Sequence, residues 1–149
     1  MSVGEICNRN VVFIYREGSI REAALLMRKH HVGDVVVVEK KEEELIPIGI
    51  LTDRDIVLEL TAEDVDLNSV TVGDVMSFEL VVAREEDDVL DTIKKMRSKG
   101  IRRIPIVNNH NGLEGILTVD DLIELLSEQL MDLTQIIAGG QDKEYQKRP

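Results

Sequence analysis

Nine residues, Gly49-Ile-Leu-Thr-Asp-Arg-Asp-Ile-Val57, return 66 positions later as Gly115-Ile-Leu-Thr-Val-Asp-Asp-Leu-Ile123. Five of the nine are identical, and two more exchange one aliphatic side chain for another. In a chain of 149 residues this is one folding unit written twice. Both copies keep a threonine and an aspartate three residues apart, directly after an apolar run. A duplicated unit that preserves a polar pair points to two equivalent pockets.

The alignment extends beyond the nine residues. Ser2-Val-Gly-Glu-Ile6 falls on Thr71-Val-Gly-Asp-Val75, and Met27 falls on Met96. The register then shifts by three, because the acidic stretch 39–44 is longer than its counterpart 108–112. A unit of about 60 residues is near the lower limit for an independent core, so the two are expected to share one. The expected organisation is a first repeat over 1–63, a second over 64–128 and a C-terminal extension over 129–149.

Each unit reads β-α-β-β-α. The first strands are expected at Val11–Ile14 and Leu80–Ala83. In repeat 2, Val89, Ile93 and Met96 form one helical stripe, with Asp87 and Asp88 at its start and Gly100 at its stop. The equivalent helix in repeat 1 carries Ala23-Ala-Leu-Leu-Met27, apolar around more than one face, and is expected to touch a second surface. Val35–Val38 and Ile104–Val107 are unbroken apolar runs, the pattern of strands buried on both faces. Pro105 cannot donate a ladder bond, which predicts that its strand starts there or lies at an edge. Ile48–Leu51 and Leu113–Leu117 form the third strands, and Thr52 and Thr118 open the last helices. The 39–44 run reads as a solvated turn and 60–71 as a polar connector. Leu122, Leu125, Leu126, Leu130, Leu133, Ile136 and Ile137 continue a helical stripe to Gly139-Gly140, beyond what the repeats need, and predict a homodimer contact. The polar end, 141–149, is expected to fray.

Composition removes several function classes. A net charge of −11 argues against nucleic acid or an anionic membrane as the main partner. No apolar run nears membrane-span length, and the N-terminus lacks the pattern of a signal peptide. The single cysteine, Cys7, excludes an internal disulfide and suits a reducing, cytoplasmic compartment; it reads as a small core hydrophobe. His30, His31 and His110 lack spaced carboxylate or cysteine partners, so no metal site is expected. The pairs Asp53/Asp55 and Asp120/Asp121 could meet magnesium carried in by a nucleotide, without forming a dedicated site. No serine–histidine–acid set, phosphate loop or Cys/His cluster is present, and the chain is not expected to be an enzyme.

A Thr-x-x-Asp at a helix start has an ordinary explanation. Threonine caps the helix and aspartate completes a capping-box pair, worth about 1 kcal/mol each. The preceding glycine adds something: in a strand it marks close approach by another backbone or a ligand. The doubled Gly-h-h-Thr-x-x-Asp, closing two β-α-β-β-α units, resembles the tandem CBS-domain pair, or Bateman module. The resemblance covers roughly residues 1–127 and includes the strand entry Gly100-Ile-Arg-Arg-Ile-Pro105.

That resemblance implies an α/β (α+β) fold of two CBS repeats packed with pseudo-twofold symmetry, followed here by a long C-terminal helix. It implies clefts that bind adenosine-containing ligands such as AMP, ADP, ATP or S-adenosylmethionine, and signalling to a separate effector protein. Thr52, Asp55, Thr118 and Asp121 would hold ribose hydroxyls. Val12, Val32, Val81 and Ile101 would wall the adenine, although plain core packing would look the same in sequence. Phosphate needs cations here, because four aspartates crowd the two helix starts. Of the six Lys/Arg over 94–103, the four on the helix read as solvated, and Arg102 and Arg103 occupy the phosphate positions of the pocket built on Asp55. The pocket built on Asp121 would face Gly33 and Asp34 instead. This predicts that the Asp55 pocket favours a phosphorylated nucleotide and the Asp121 pocket favours adenosine, a sulfonium ligand or nothing; Arg54, a further candidate for phosphate contact from the repeat-1 helix start, works against that asymmetry. A ligand-free dimeric scaffold of the same fold is the competing reading.

Overall fold

The computed structural model describes residues 1–149. It divides into two compact units, Met1–Leu117 and Thr118–Pro149. The first holds short α1 (Val3–Ile6), β1 (Phe13–Tyr15), α2 (Ile20–His30), β2 (Asp34–Lys41), β3 (Glu44–Thr52) and α3 (Asp53–Asp55). A π-helical turn, Ile56–Thr61, and a 3₁₀ turn, Leu67–Ser69, lead to α4 (Val72–Val75), β4 (Ala83–Arg84), α5 (Val89–Lys99), β5 (Arg103–Val107) and β6 (Leu113–Thr118). Helix α6, Val119–Lys147, dominates the second unit.

Two three-stranded sheets form, ordered β1-β2-β3 and β4-β5-β6. β1 runs parallel to β2, and β2 pairs antiparallel with β3. Val35 to Val38 are wholly buried, as a run apolar on both faces requires. The helices beside them obey their local signals. Ser19 Oγ accepts the Glu22 N–H at 3.0 Å to start α2. Asp88 Oδ2 accepts from Leu90 and Asp91 to start α5, and Gly100 ends it at φ 65°.

The halves exchange their leading segments. Val72 N–H donates to Gly18 O and Gly73 N–H to Arg16 O, both at 2.9 Å, so α4 of the second repeat sits on the first. In mirror fashion, Val3 N–H donates to Asp87 O and Gly4 N–H to Glu85 O, both at 2.9 Å. The core around Ile14, Ile20, Ala23, Met27, Val35, Val37 and Leu51 therefore includes Val72 and Met76. The first sheet does not close its core from its own repeat.

Several expectations need correction. The first strands lie two to three residues later than their apolar runs, at Phe13–Tyr15 and Ala83–Arg84. The 39–44 stretch is no open turn: β2 and β3 pair up to Lys41 with Glu44, leaving Glu42 and Glu43 as the loop. Pro105 is buried in the central strand of its sheet, neither at an edge nor at a strand start. The sheet tolerates it because the β4 ladder begins one residue later, at Ile106. In the first sheet the matching Val36 N–H donates to Val12 O at 3.0 Å, a bond that proline cannot make. Cys7 is half-buried, not a core residue. Ala24 and Leu25 on α2 are exposed. Gly139 and Gly140 do not end α6, which continues through the polar tail to Lys147. No helix is long and apolar enough to cross a membrane.

Candidate ligand-binding site

The site begins where β3 ends. Thr52 is in extended conformation and caps α3: its Oγ1 accepts the Asp55 N–H at 3.0 Å. Asp55 Oδ2 returns the bond by accepting the Thr52 N–H at 3.0 Å. The ordinary capping-box explanation is therefore satisfied at this motif, and it uses one of the two carboxylate oxygens. Thr118 caps α6 similarly, accepting the Asp121 N–H at 3.1 Å, but the Asp121 carboxylate makes no return bond to Thr118.

A cavity of about 260 Å³ opens beside Asp55. Thr52 and Asp55 line one side; Val81, Ile101, Arg102 and Arg103 line the rest, with Ile50, Ser77, Glu79 and Leu80. Its volume sits near the small end of the roughly 300–1,000 Å³ common for small-molecule sites. The cavity joins the repeat-1 Thr/Asp pair to apolar and cationic residues of repeat 2. Val12 and Val32, the repeat-1 equivalents of Val81 and Ile101, do not line it, nor does Arg54, which is exposed on α3. Thr118 and Asp121 open the unit Thr118–Pro149 and are described within it.

Four lining residues, Ile50, Ser77, Glu79 and Leu80, were not singled out from sequence as site residues. Their signal was present in Gly49. A Cβ built on Gly49 would meet Met76 Sδ and Ser77 O, each at 2.6 Å. The glycine admits the crossing chain, and Ser77 N–H then donates to Ile50 O at 2.9 Å. Gly115 serves the mirror crossing, where a Cβ would lie 2.6 Å from Cys7 Sγ. Asn8 and Ile116 exchange both backbone bonds there at 2.9 Å. Both motif glycines thus make room for another backbone.

The electrostatics centre on Arg103. Its Nε lies 3.0 Å from Asp34 Oδ2, although the N–H is not aimed along that line and has no aligned acceptor. Asp34 and Arg103 occupy equivalent positions of the two repeats, 69 residues apart. Asp34, the repeat-1 counterpart of Arg103, therefore pairs with the arginine of this cavity. Burial raises the Asp34 carboxyl above its ordinary range; Arg103 opposes the shift and Asp53 adds to it. Cys7 is likewise raised, first by burial and against the pull of Arg9. That is the setting of an unreactive thiol. No group of three or more His, Cys, Asp or Glu is placed to hold a metal ion.

A family model described as the CBS domain matches residues 3–62 and again 72–128. The chain belongs to the CBS domain family. Among its relatives is the CBS domain-containing protein YhcV of Bacillus subtilis, 39% identical over 81% of this chain and 82% of that protein. An uncharacterized protein of Methanopyrus kandleri is 37% identical over 84% of this chain. The match spans only 62% of that longer relative. Among solved structures, the CBS domain pair of protein MJ0100, in complex with 5′-methylthioadenosine and S-adenosyl-L-methionine, superposes with a TM-score of 0.73. It is 26% identical, covering 87% of this chain and 98% of that one. Two CBS repeats in one chain make a CBS pair, or Bateman module.

Proposed function

We propose that this CBS pair is a non-catalytic sensor, acting in the cytoplasm, that binds an adenosine-containing ligand in the cavity beside Asp55 and signals to a separate effector protein. The observation that carries the reading is the meeting of Asp55 with Arg102 and Arg103 across one cavity. An ionised aspartate with one uncommitted oxygen accepts hydrogen bonds from ribose hydroxyls. Val81 and Ile101 offer an apolar wall for the base. The two guanidinium groups supply the positive charge that the acid-rich start of α3 cannot. The complex of the MJ0100 pair with two adenosine derivatives supports the ligand class. AMP, ADP and ATP fit the cationic end better than the sulfonium ligand S-adenosylmethionine does. Thr118 and Asp121 are the matching Thr/Asp pair of the second motif. Ligand shifts the arrangement of the repeats only by its differential affinity for the alternatives, so signalling requires tighter binding to one of them.

Titration calorimetry of the full chain with AMP tests this. Asp55→Ala removes charge-assisted bonds of about 1.5–3 kcal/mol each, so AMP affinity should fall at least roughly tenfold. Asp121→Ala should leave that affinity nearly unchanged. Equal losses from both substitutions would refute the asymmetry between the sites. Failure of AMP, ADP, ATP and S-adenosylmethionine alike to raise the melting temperature would sink the sensor reading. One observation favours the alternative, a ligand-free scaffold: the capping box at Thr52 and Asp55 is complete without a ligand.

A further inference from the structure

Asp34 is the first residue of β2 and Arg103 the first of β5, so their contact ties the start of one sheet's central strand to the start of the other's. Arg103 lines the cavity beside Asp55, and Asp34 does not. In the β2–β3 ladder Asp34 stands opposite Thr52, which does line it. The Asp34 side chain is only 15% exposed and that of Arg103 30%, so the attraction is screened less than at an open surface. The contact is close but badly aimed. Arg103 Nε is 3.0 Å from Asp34 Oδ2, yet it is the one buried side-chain nitrogen or oxygen left without a hydrogen bond. Buried polar groups are normally bonded, and a guanidinium meets its best carboxylate partners through two parallel bonds. Here charge is satisfied and direction is not.

A phosphate brings several anionic oxygens to a guanidinium with five donors, and so offers the aligned bond that Asp34 withholds. To reach Arg103 it must displace the Asp34 carboxylate or share the guanidinium with it. A neutral group gains nothing over Asp34. A phosphate monoester, at about −1.5 to −2 near neutral pH, outweighs one carboxylate, and a polyphosphate does so further. We propose that Asp34 is an internal competitor for Arg103, which sets the charge a ligand needs and reserves that arginine for multiply charged phosphates. Asp34 acts through Arg103 and touches no ligand, so it is a positioning residue. Displacing it trades an ion pair between the repeats for a contact with the ligand. The inference rests on the Asp55 cavity being the ligand site, and an anion without adenosine lets the two readings fail separately.

Titration calorimetry of the full chain with inorganic pyrophosphate is the test. Asp34→Asn keeps the side-chain shape and removes its charge, so pyrophosphate should bind roughly three- to tenfold more tightly than to wild type. Glu42→Gln removes the same charge from the loop at the far end of β2 and should change the affinity little. In an Arg103→Gln background, Asp34→Asn should bring no gain. Wild type gives an independent reading: the Nε–H resonance of Arg103, assigned with Arg103→Lys, should shift as pyrophosphate is added. Unchanged or weaker binding by a folded Asp34→Asn chain, an equal gain from Glu42→Gln, a gain that survives Arg103→Gln, or an unmoved Arg103 resonance would each overturn the competition. If pyrophosphate follows the expected pattern while AMP does not bind, the adenosine reading fails and the role of Asp34 stands. If AMP binding depends on Asp55 while pyrophosphate is indifferent to Asp34, the sensor stands and the competitor falls.

Discussion

The Asp34 carboxyl lies mostly buried between the guanidinium of Arg103 and the acid Asp53. Burial dominates, so its pKa in the folded chain stands above the ordinary 3.8. A raised carboxyl favours the folded state while protonated. That stability is complete below 3.8 and is lost as pH rises through the folded value. Asparagine cannot ionise and does not suffer this loss. Relative to wild type, Asp34→Asn should therefore gain stability as pH rises above 3.8, then level off once Asp34 is ionised. Urea denaturation at a series of pH values measures the difference; a gap that narrows with rising pH would contradict it. Arg103 also loses a partner in that variant, which frees its charge for an anionic ligand in the cavity. At this level, Arg102, Arg103, Thr52 and Asp55 were legible in the sequence as site candidates. The tie between Arg103 and Asp34 was not, because nothing local relates two residues 69 positions apart.

The two helices that follow the first strands end at equivalent positions, His31 and Gly100, and both residues are left-handed. Glycine adopts that conformation freely, whereas a side chain there costs about 1–2 kcal/mol. His31 is exposed and its φ is 54°. His31→Gly should therefore stabilise the chain by roughly 0.5–1 kcal/mol once the greater freedom of unfolded glycine is subtracted. A lower urea midpoint for the variant would show that the histidine does something the backbone does not reveal. Element existence was readable from periodicity and capping residues. Strand ends were not. The apolar runs Val11–Ile14 and Leu80–Ala83 start before their ladders do, because apolar side chains outside a ladder can still be buried. Pro105 shows the same limit. A missing N–H forbids one bond, not a central place, and the short β4 ladder begins just past it.

The two repeats are knitted by exchange of their leading segments, so damage to one should appear in the other. Removing residues 1–8 deletes Val3, which is wholly buried, and the paired backbone bonds of Asn8 with Ile116. Hydrogen exchange should then show β4 to β6 losing protection far more than β1 to β3, although the cut lies in the first repeat. Uniform loss of protection, or loss confined to β1 to β3, would mean that the exchange carries little of the stability. The length of each repeat already pointed to a shared core. How the sharing is achieved was hidden, since Ser2–Ile6 and Thr71–Val75 look alike whichever sheet they join.

The linear chain, then, determined its own duplication, the helix caps, the buried strands and the residue types gathered at the Thr-x-x-Asp motifs. Each of these is written in neighbours a few positions apart, where backbone hydrogen bonding and side-chain periodicity operate. Tertiary structure alone decided that Gly49 and Gly115 admit the crossing chains of Met76 and Cys7, and that Asp34 meets Arg103. It also decided that Val81 and Ile101, not Val12 and Val32, line the cavity beside Asp55. These outcomes depend on which of two similar segments, Ser2–Ile6 or Thr71–Val75, docks on which sheet, and neither segment carries a local signal for its partner. Only the packing of the whole core separates them.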